Sequence, residues 1–204
     1  MKIIKVTPRG FGSNSYILTA DGKTAVVIDP AEPHIADVLS DNGLECSCVL
    51  LTHGHFDHVG GCGVLFKNGA HIYCNEREKK LIFSKEYLGL FGGVQVPDFK
   101  IARTFSDGEE FEECKIKFKV FTTAGHTAGS SCIIAENALF TGDTLFAGGV
   151  GRWDLPTGNF SELAESLNRL VALDGEYDIY CGHGANSTLT REKQTNPYLR
   201  NIYC

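Results

Sequence analysis

The chain has 204 residues, of which 43% are apolar and 22% charged, and a formal net charge of −6. That length supports a sizeable buried core and matches a large layered α/β unit. The acidic balance, with no Lys/Arg cluster longer than a pair, excludes a nucleic-acid footprint or an anionic-membrane surface as an expectation, and no run approaches the ~20 apolar residues of a membrane helix.

At the N-terminus, Met1-Lys2-Ile3-Ile4-Lys5 lacks the apolar stretch of a signal peptide, so a cytoplasmic protein is expected. Ile3 to Val6, Tyr16 to Leu18 and Ala25 to Ile28 are short β-type runs bounded by Gly, Pro and Asp. Pro33 to Leu39 reads as a helix, with Ile35, Val38 and Leu39 at helical spacing and Gly43 near its end. Cys46 to Leu51 reads as a buried strand. Phe56 to Phe66 follows as one short helix, Ile72-Tyr73 as a strand, and 75–83 as a charged helix. Tyr87 to Val94, rich in glycine and aromatic residues, reads as a loop covering the core or as a pocket wall. From Phe99 to Phe121 apolar and polar residues alternate, most clearly in Ile116-Lys117-Phe118-Lys119-Val120, a half-exposed strand. Ser131 to Ile134 and Ala138 to Phe140 are further strands. Phe160, Leu163, Ala164, Leu167, Leu170 and Val171 form a helical stripe, opened by Asn159 with Glu162 three residues on. Asp178 to Tyr180 is the last strand, and a terminal helix stops before Pro197. One domain over 1–204 is expected, with no linker or repeat.

Five of the seven histidines fall in short motifs that each follow a strand. They are Thr52-His53-Gly54-His55-Phe56-Asp57-His58, Ala124-Gly125-His126-Thr127 and Tyr180-Cys181-Gly182-His183-Gly184; Phe140-Thr141-Gly142-Asp143-Thr144 adds a carboxylate. Imidazole and carboxylate suit zinc, iron or manganese. Seven such side chains exceed the needs of one tetrahedral ion and match two ions that share a bridge, which Asp143 can supply with its two oxygens. The spacing of His53, His55 and Asp57 sends all three to one side of an extended segment, with a turn at His58. His34 and His71 lack such context and read as ordinary histidines.

The eight cysteines are irregularly spaced with no C-x-x-C pair. Cys62, Cys74, Cys114, Cys132 and Cys204 therefore read as small hydrophobes, as do Cys46 and Cys48, whose alternation points both thiols to one face. Cys181, two residues before His183, raises a Cys–His nucleophile as an alternative, but no third group orients it. Arg152 and Asp154 read as a loop-fixing ion pair, with substrate contact as the alternative. The run Gly148 to Gly151 lacks the spacing of a dinucleotide loop.

The string H-x-H-x-D-H after a strand, then G-H-T, G-D and G-H-G, resembles the metallo-β-lactamase fold superfamily from about Asn14 to Tyr198. Gly151-Arg152-Trp153-Asp154-Leu155-Pro156 is similar to a segment of its short glyoxalase II-like (hydroxyacylglutathione hydrolase-like) members. The resemblance implies an α/β fold: an αβ/βα sandwich of two facing mixed sheets with helices outside and metals at one edge. It assigns His53, His55 and His126 to one metal ion, and Asp57, His58 and His183 to a second. Asp143 and a solvent hydroxide bridge them, Asp57 orients the hydroxide, and Asp29 supports the His loop from outside the ligand set. Two divalent ions are implied, zinc first, iron or manganese also, acting on a small-molecule thioester or ester, with no nucleic-acid or membrane partner. The resemblance leaves substrate-contacting residues unassigned. It also leads to an expectation that the helical domain with which longer relatives grip glutathione is missing. Cys181 stands where many relatives have Pro. A persulfide dioxygenase-like oxidoreductase, with one iron on His53, His126 and Asp143, shares the motifs, as do lactonase and phosphodiesterase branches; a non-enzymatic metal module is a third class.

Overall fold

The β-branched and aromatic runs pair into two six-stranded mixed sheets in the computed structural model, which describes residues 1–10 and 12–200; Cys204 lies outside the described residues. The first sheet runs in chain order: β1 (Lys2–Val6), β2 (Ser15–Thr19), β3 (Thr24–Ile28), β4 (Glu45–Leu50), β5 (His71–Asn75) and β6 (Ile101–Phe105). Pairing is antiparallel from β1 to β3 and parallel from β3 to β6. In the second sheet, β7 (Glu110–Glu113), β8 (Ile116–Thr122), β9 (Ser131–Ala135) and β10 (Ala138–Gly142) form a meander. A small ribbon, β11 (Leu145–Phe146) with β12 (Gly149–Val150), intervenes before β13 (Asp178–Cys181) adds parallel to β10, and β14 (Ser187–Thr188) closes the edge.

Three apolar layers hold the sheets between helices. The middle one is the sandwich core, where Tyr16, Leu18, Val26 and Leu50 meet Phe118, Ile133 and Phe140. Outside the first sheet, α1 (Ile35–Asp41), the four-residue α2 (Phe56–Val59) and α3 (Cys62–Lys67) cover Val27, Val49 and Leu51. A 3₁₀ turn over Glu76–Glu78, α4 (Lys79–Ile82) and α5 (Lys85–Gly89) follow β5. Outside the second sheet, α6 (Phe160–Val171) buries Leu163, Leu167 and Leu170 against Leu139 and Ile179, joined by α7 (Leu189–Thr195) and α8 (Pro197–Arg200). Asn159 caps α6 by accepting from the Glu162 amide, as its sequence signature predicts. The result is the expected αβ/βα sandwich. No helix among the described residues is long and apolar enough to cross a membrane.

Two expectations give way. The helix read over Phe56 to Phe66 is two helices, α2 and α3, because the chain leaves helical pairing at Gly60-Gly61. There the Gly61 amide donates to the Pro30 carbonyl at 2.6 Å. A Cβ on Gly60 would stand 2.2 Å from the Ala31 carbonyl oxygen, so this approach needs glycine. Cys46 and Cys48 do not share a face: Cys48 lies in the sandwich core and Cys46 packs on the outer layer. A bulge causes this, since Ala25 pairs with Cys46 but Val26 with Cys48, leaving Ser47 as the extra residue.

Candidate metal centre

The four motifs leave the C-terminal ends of β4, β8, β10 and β13, so one edge of the sandwich receives all seven side chains. His53 follows β4 in extended backbone that persists to His55 (φ −69°, ψ 147°). The turn comes earlier than the spacing implied: Phe56 opens α2, and Asp57 lies in that helix's first turn beside His58. Asp57 is thereby carried away from His53 and His55. Ligand-capable atoms of His53, His55 and His126 lie within 4.8 Å of one another, and so do those of Asp57, His58 and His183. His55 Nδ1 and His126 Nε2 are 2.9 Å apart. Asp143 stands between the groups: its Oδ1 is 3.3 Å from His58 Nε2, and its Oδ2 is 3.6 Å from His126 Nε2 and 3.3 Å from His183 Nε2. Asp57 Oδ2 is 3.3 Å from His183 Nε2.

Hydrogen bonds fix which ring atoms face inward. His126 Nδ1 donates to the Arg152 carbonyl at 2.6 Å, which leaves Nε2 for the centre. His58 Nδ1 donates to Asp29 Oδ2 at 2.9 Å. The Thr52 hydroxyl gives its one proton to Asp29 Oδ2 at 2.6 Å, so at 3.1 Å it accepts from His53 Nδ1. Asp29, at φ +48°, thus orients His58 directly and His53 through Thr52, and it also accepts the Thr52 amide at 2.8 Å. It approaches His53 and His58 closely enough to be counted with them, but those bonds commit its oxygens, which is the supporting place the resemblance gives it. Gly182 is required by proximity: a Cβ there would lie 2.2 Å from Asp143 Oδ1.

Charge divides the two groups. Burial pulls His53 well below its ordinary value and His55 down to about 3, with neighbouring imidazoles acting in the same direction; burial also lowers His126. These three rings are neutral, and because His126 Nε2 keeps its lone pair, His55 Nδ1 donates to it at 2.9 Å. Burial opposes charge on His58 as well, but Asp143, Asp29 and Asp57 outweigh it and raise that ring well above its usual value. Hydrogen bonds to Asp143 and Asp57 raise His183 to about 9. Asp143 and Asp57 stay ionised: burial pushes both up, and the neighbouring histidines, led by His58, push them down further.

The residues fit metal ions on a direct observation. His53 Nε2 and His55 Nε2 are buried without hydrogen-bond partners, and the buried His58 Nε2 and Asp143 Oδ1 meet each other at 3.3 Å without a well-formed hydrogen bond. Such atoms cost free energy unless something binds them.

Sequence reasoning missed two parts of the site, Glu78 and the Arg152 carbonyl, and left a third, the 87–94 segment, between two readings. Glu78 is fully buried and accepts the Gly54 amide at 2.7 Å, the Gly129 amide at 2.7 Å and the Thr127 hydroxyl at 2.9 Å. It therefore ties the His53–His55 loop to the His126 loop. Tyr87, on α5, is buried with its ring stacked on His55 (4.9 Å, 14°), and Phe91 packs on Phe56 and Tyr87, so 87–94 contributes a wall of the site. Arg152 acts through its carbonyl, while its guanidinium makes the expected bidentate pair with Asp154 at 2.8 Å. The Cys181 thiol is buried, its one proton shared between the His183 and Ala185 carbonyls at 3.0 and 3.1 Å, and burial pushes its pKa up, which argues against the nucleophile alternative. His34 pairs with Glu32 and His71 is exposed, both outside the centre.

Comparison with known proteins agrees with this geometry. The sequence pattern of the Metallo-beta-lactamase superfamily matches residues 8–183. Hydroxyacylglutathione hydrolase GloC of Haemophilus influenzae is 33% identical over 208 residues, spanning 98% of this chain and 97% of that protein. The crystal structure of TTHA1623 in a di-iron-bound form matches with a TM-score of 0.85 at 32% identity, covering 96% of this chain and 100% of that one. The BLEG-1 B3 metallo-beta-lactamase matches with a TM-score of 0.91 at 27% identity, covering 97% and 99%.

Proposed function

This chain belongs to the metallo-beta-lactamase superfamily, and from that premise we propose that it is a dinuclear metallohydrolase cleaving a thioester of the S-lactoylglutathione type or a related ester. The observation that carries this reading is the set of buried, unpartnered atoms gathered around Asp143. His53, His55 and His126 would hold one ion and Asp57, His58 and His183 the other, with Asp143 available to both. Zinc is our first choice, with iron or manganese also suited to these ligands; the di-iron form of TTHA1623 supports iron. We read the chain as one cytoplasmic domain acting on a small molecule.

Two divalent ions bound here would bring the pKa of coordinated water toward neutrality and polarise a substrate carbonyl. The protein's own part is orientation. Asp29, Thr52 and the Arg152 carbonyl keep three imidazoles in the required tautomers, and burial keeps the first trio unprotonated. Asp57, ionised beside His58 and lining the cavity over the centre, orients the attacking water toward the carbonyl. A thiolate leaves readily, with a thiol pKa of about 8.5, so no side-chain acid is needed for the product.

Purified protein should contain about two ions per chain, and hydrolysis of S-lactoylglutathione should vanish with chelator and return with metal. Lactones and phosphodiesters tested alongside decide among ester classes. A preparation that holds one iron, takes no second metal and consumes oxygen with a persulfide would overturn the hydrolase in favour of the dioxygenase-like oxidoreductase.

A further inference from the structure

The cavity above the centre has a polar floor and an apolar surround. Its floor is His55, Asp57, His126, Asp143 and His183; its walls are Phe56, Tyr87 and Phe91 from one half of the sandwich and Phe146 and Leu155 from the other. The first wall is a packed aromatic set, with Phe91 centred 4.9 Å from Phe56 and 5.3 Å from Tyr87. Opposite it, the Phe146 ring stands edge-on to His183 at 6.0 Å. The volume is about 250 Å³, below the ~300–1,000 Å³ of sites that enclose drug-sized ligands. Among the described residues lining it, Arg152 is the one Lys or Arg, and its Nε and Nη2 are engaged by Asp154.

A carbonyl over this floor has two limbs. At about 250 Å³ the cavity does not enclose both limbs, and its walls are apolar against a glutathionyl limb's two carboxylates and ammonium, which lose hydration on entering such a space. A short hydrocarbon acyl limb meets neither obstacle and gains by leaving water. We propose that this cavity selects a small, uncharged, apolar acyl group, aliphatic or aromatic, while the thiol limb lies outside it without a charged partner. This rests on the hydrolase reading above and goes beyond it in naming what the site prefers.

The test uses metal-loaded full-length protein and thioesters of N-acetylcysteamine, a small neutral thiol. From acetyl to propionyl to butyryl, kcat/KM should rise about fourfold per methylene, equivalent to about 0.8 kcal/mol each. Benzoyl should exceed acetyl at least tenfold. S-lactoylglutathione should be no better than S-lactoyl-N-acetylcysteamine, with KM rather than kcat carrying any deficit. Phe91→Ala and Phe146→Ala should each lower the benzoyl-to-acetyl ratio at least fivefold. Flat dependence on acyl size, or a glutathione thioester preferred tenfold over its neutral counterpart, would overturn the proposal while leaving thioester hydrolysis intact. Absence of turnover with every thioester would instead sink the hydrolase reading. Binding then decides separately: S-benzyl-N-acetylcysteamine, which has no carbonyl to cleave, should bind at least tenfold tighter than its S-methyl analogue by calorimetry, with and without metal. Equal affinities would refute the apolar pocket.

Discussion

His53, His55 and His126 face one another, with His53 also 4.0 Å from the His58 ring, whereas His58 faces Asp29, Asp57 and Asp143, and His183 faces Asp57 and Asp143. The first group is kept neutral by burial; the second is kept protonated by carboxylates. One edge of one fold thus holds two groups of side chains prepared in opposite ways. The imidazole trio offers neutral rings as it stands. The carboxylate-rich set must lose protons before its histidines coordinate, since a metal ligand must be deprotonated. Asp143 belongs to both, and that shared member is where the comparison is most easily broken.

Asp143→Ala should have the largest effect. Both metal occupancies should fall, and kcat/KM should drop at least ~1,000-fold, about 4 kcal/mol of transition-state stabilisation. Loss of one ion with the other retained, measured by elemental analysis, would show that Asp143 serves a single set. His55→Ala should cost at least ~100-fold in kcat/KM, about 2.7 kcal/mol, and should empty only the imidazole site. Retention of both ions at full occupancy in that variant would remove His55 from the ligand set.

In metal-free protein the two sets should respond to pH with opposite signs. His55 titrates near 3 when folded against about 6.5 when unfolded, so acidification from about 6.5 toward 3 protonates the unfolded chain first and destabilises the fold. His183, raised to about 9, contributes stability that is present below about 6.5 and is lost as pH rises through about 9. Urea midpoints across this range should fall on both sides. His55→Ala should flatten the acid limb and His183→Ala the alkaline limb; the reverse assignment would contradict the division between the sets.

Glu78→Gln should lower the stability of metal-free protein by about 1–3 kcal/mol, because an amide nitrogen then meets one of three donors. Metal affinity of the imidazole site should weaken about tenfold as the two loops loosen, with the carboxylate-rich site unchanged. Equal weakening of both sites would mean that Glu78 supports the edge in general. Cys181→Ser should have the smallest effect, within about twofold in activity, because a hydroxyl still offers one proton to the His183 and Ala185 carbonyls. A dead enzyme with full metal content would restore the thiol to the mechanism.

The parts of this site visible in the sequence were those whose chemistry is local. H-x-H-x-D-H after a β-run marks ligands wherever they point, and G-H-T, G-D and G-H-G follow strands that periodicity finds. Asp29 came through family resemblance, for nothing in its own surroundings announces a carboxylate that orients two histidines. Glu78 was hidden by composition: within Glu76-Arg77-Glu78 it reads as part of a solvated face, yet the turn capped by Asn75 directs it inward. The Cys46 and Cys48 faces were misread because one bulge residue shifts the alternation. The break between α2 and α3 depends on the carbonyls of Pro30 and Ala31, a contact no local pattern encodes. Tyr87 and Phe91 reach the centre only through the packing of α5, so a glycine-rich aromatic segment left open whether it is a covering loop or a pocket wall.

The most direct test of the two-set account is calorimetric titration of metal-free protein with zinc near pH 7.5, in buffers of different ionisation enthalpy. The measured quantity is the number of protons released with each ion. The account predicts two binding events, one releasing almost none, from the neutral imidazole trio, and one releasing at least one proton, from His58 and His183. His183→Ala should diminish the proton release of the second event alone. A single binding event, or two events with equal proton release, would contradict it.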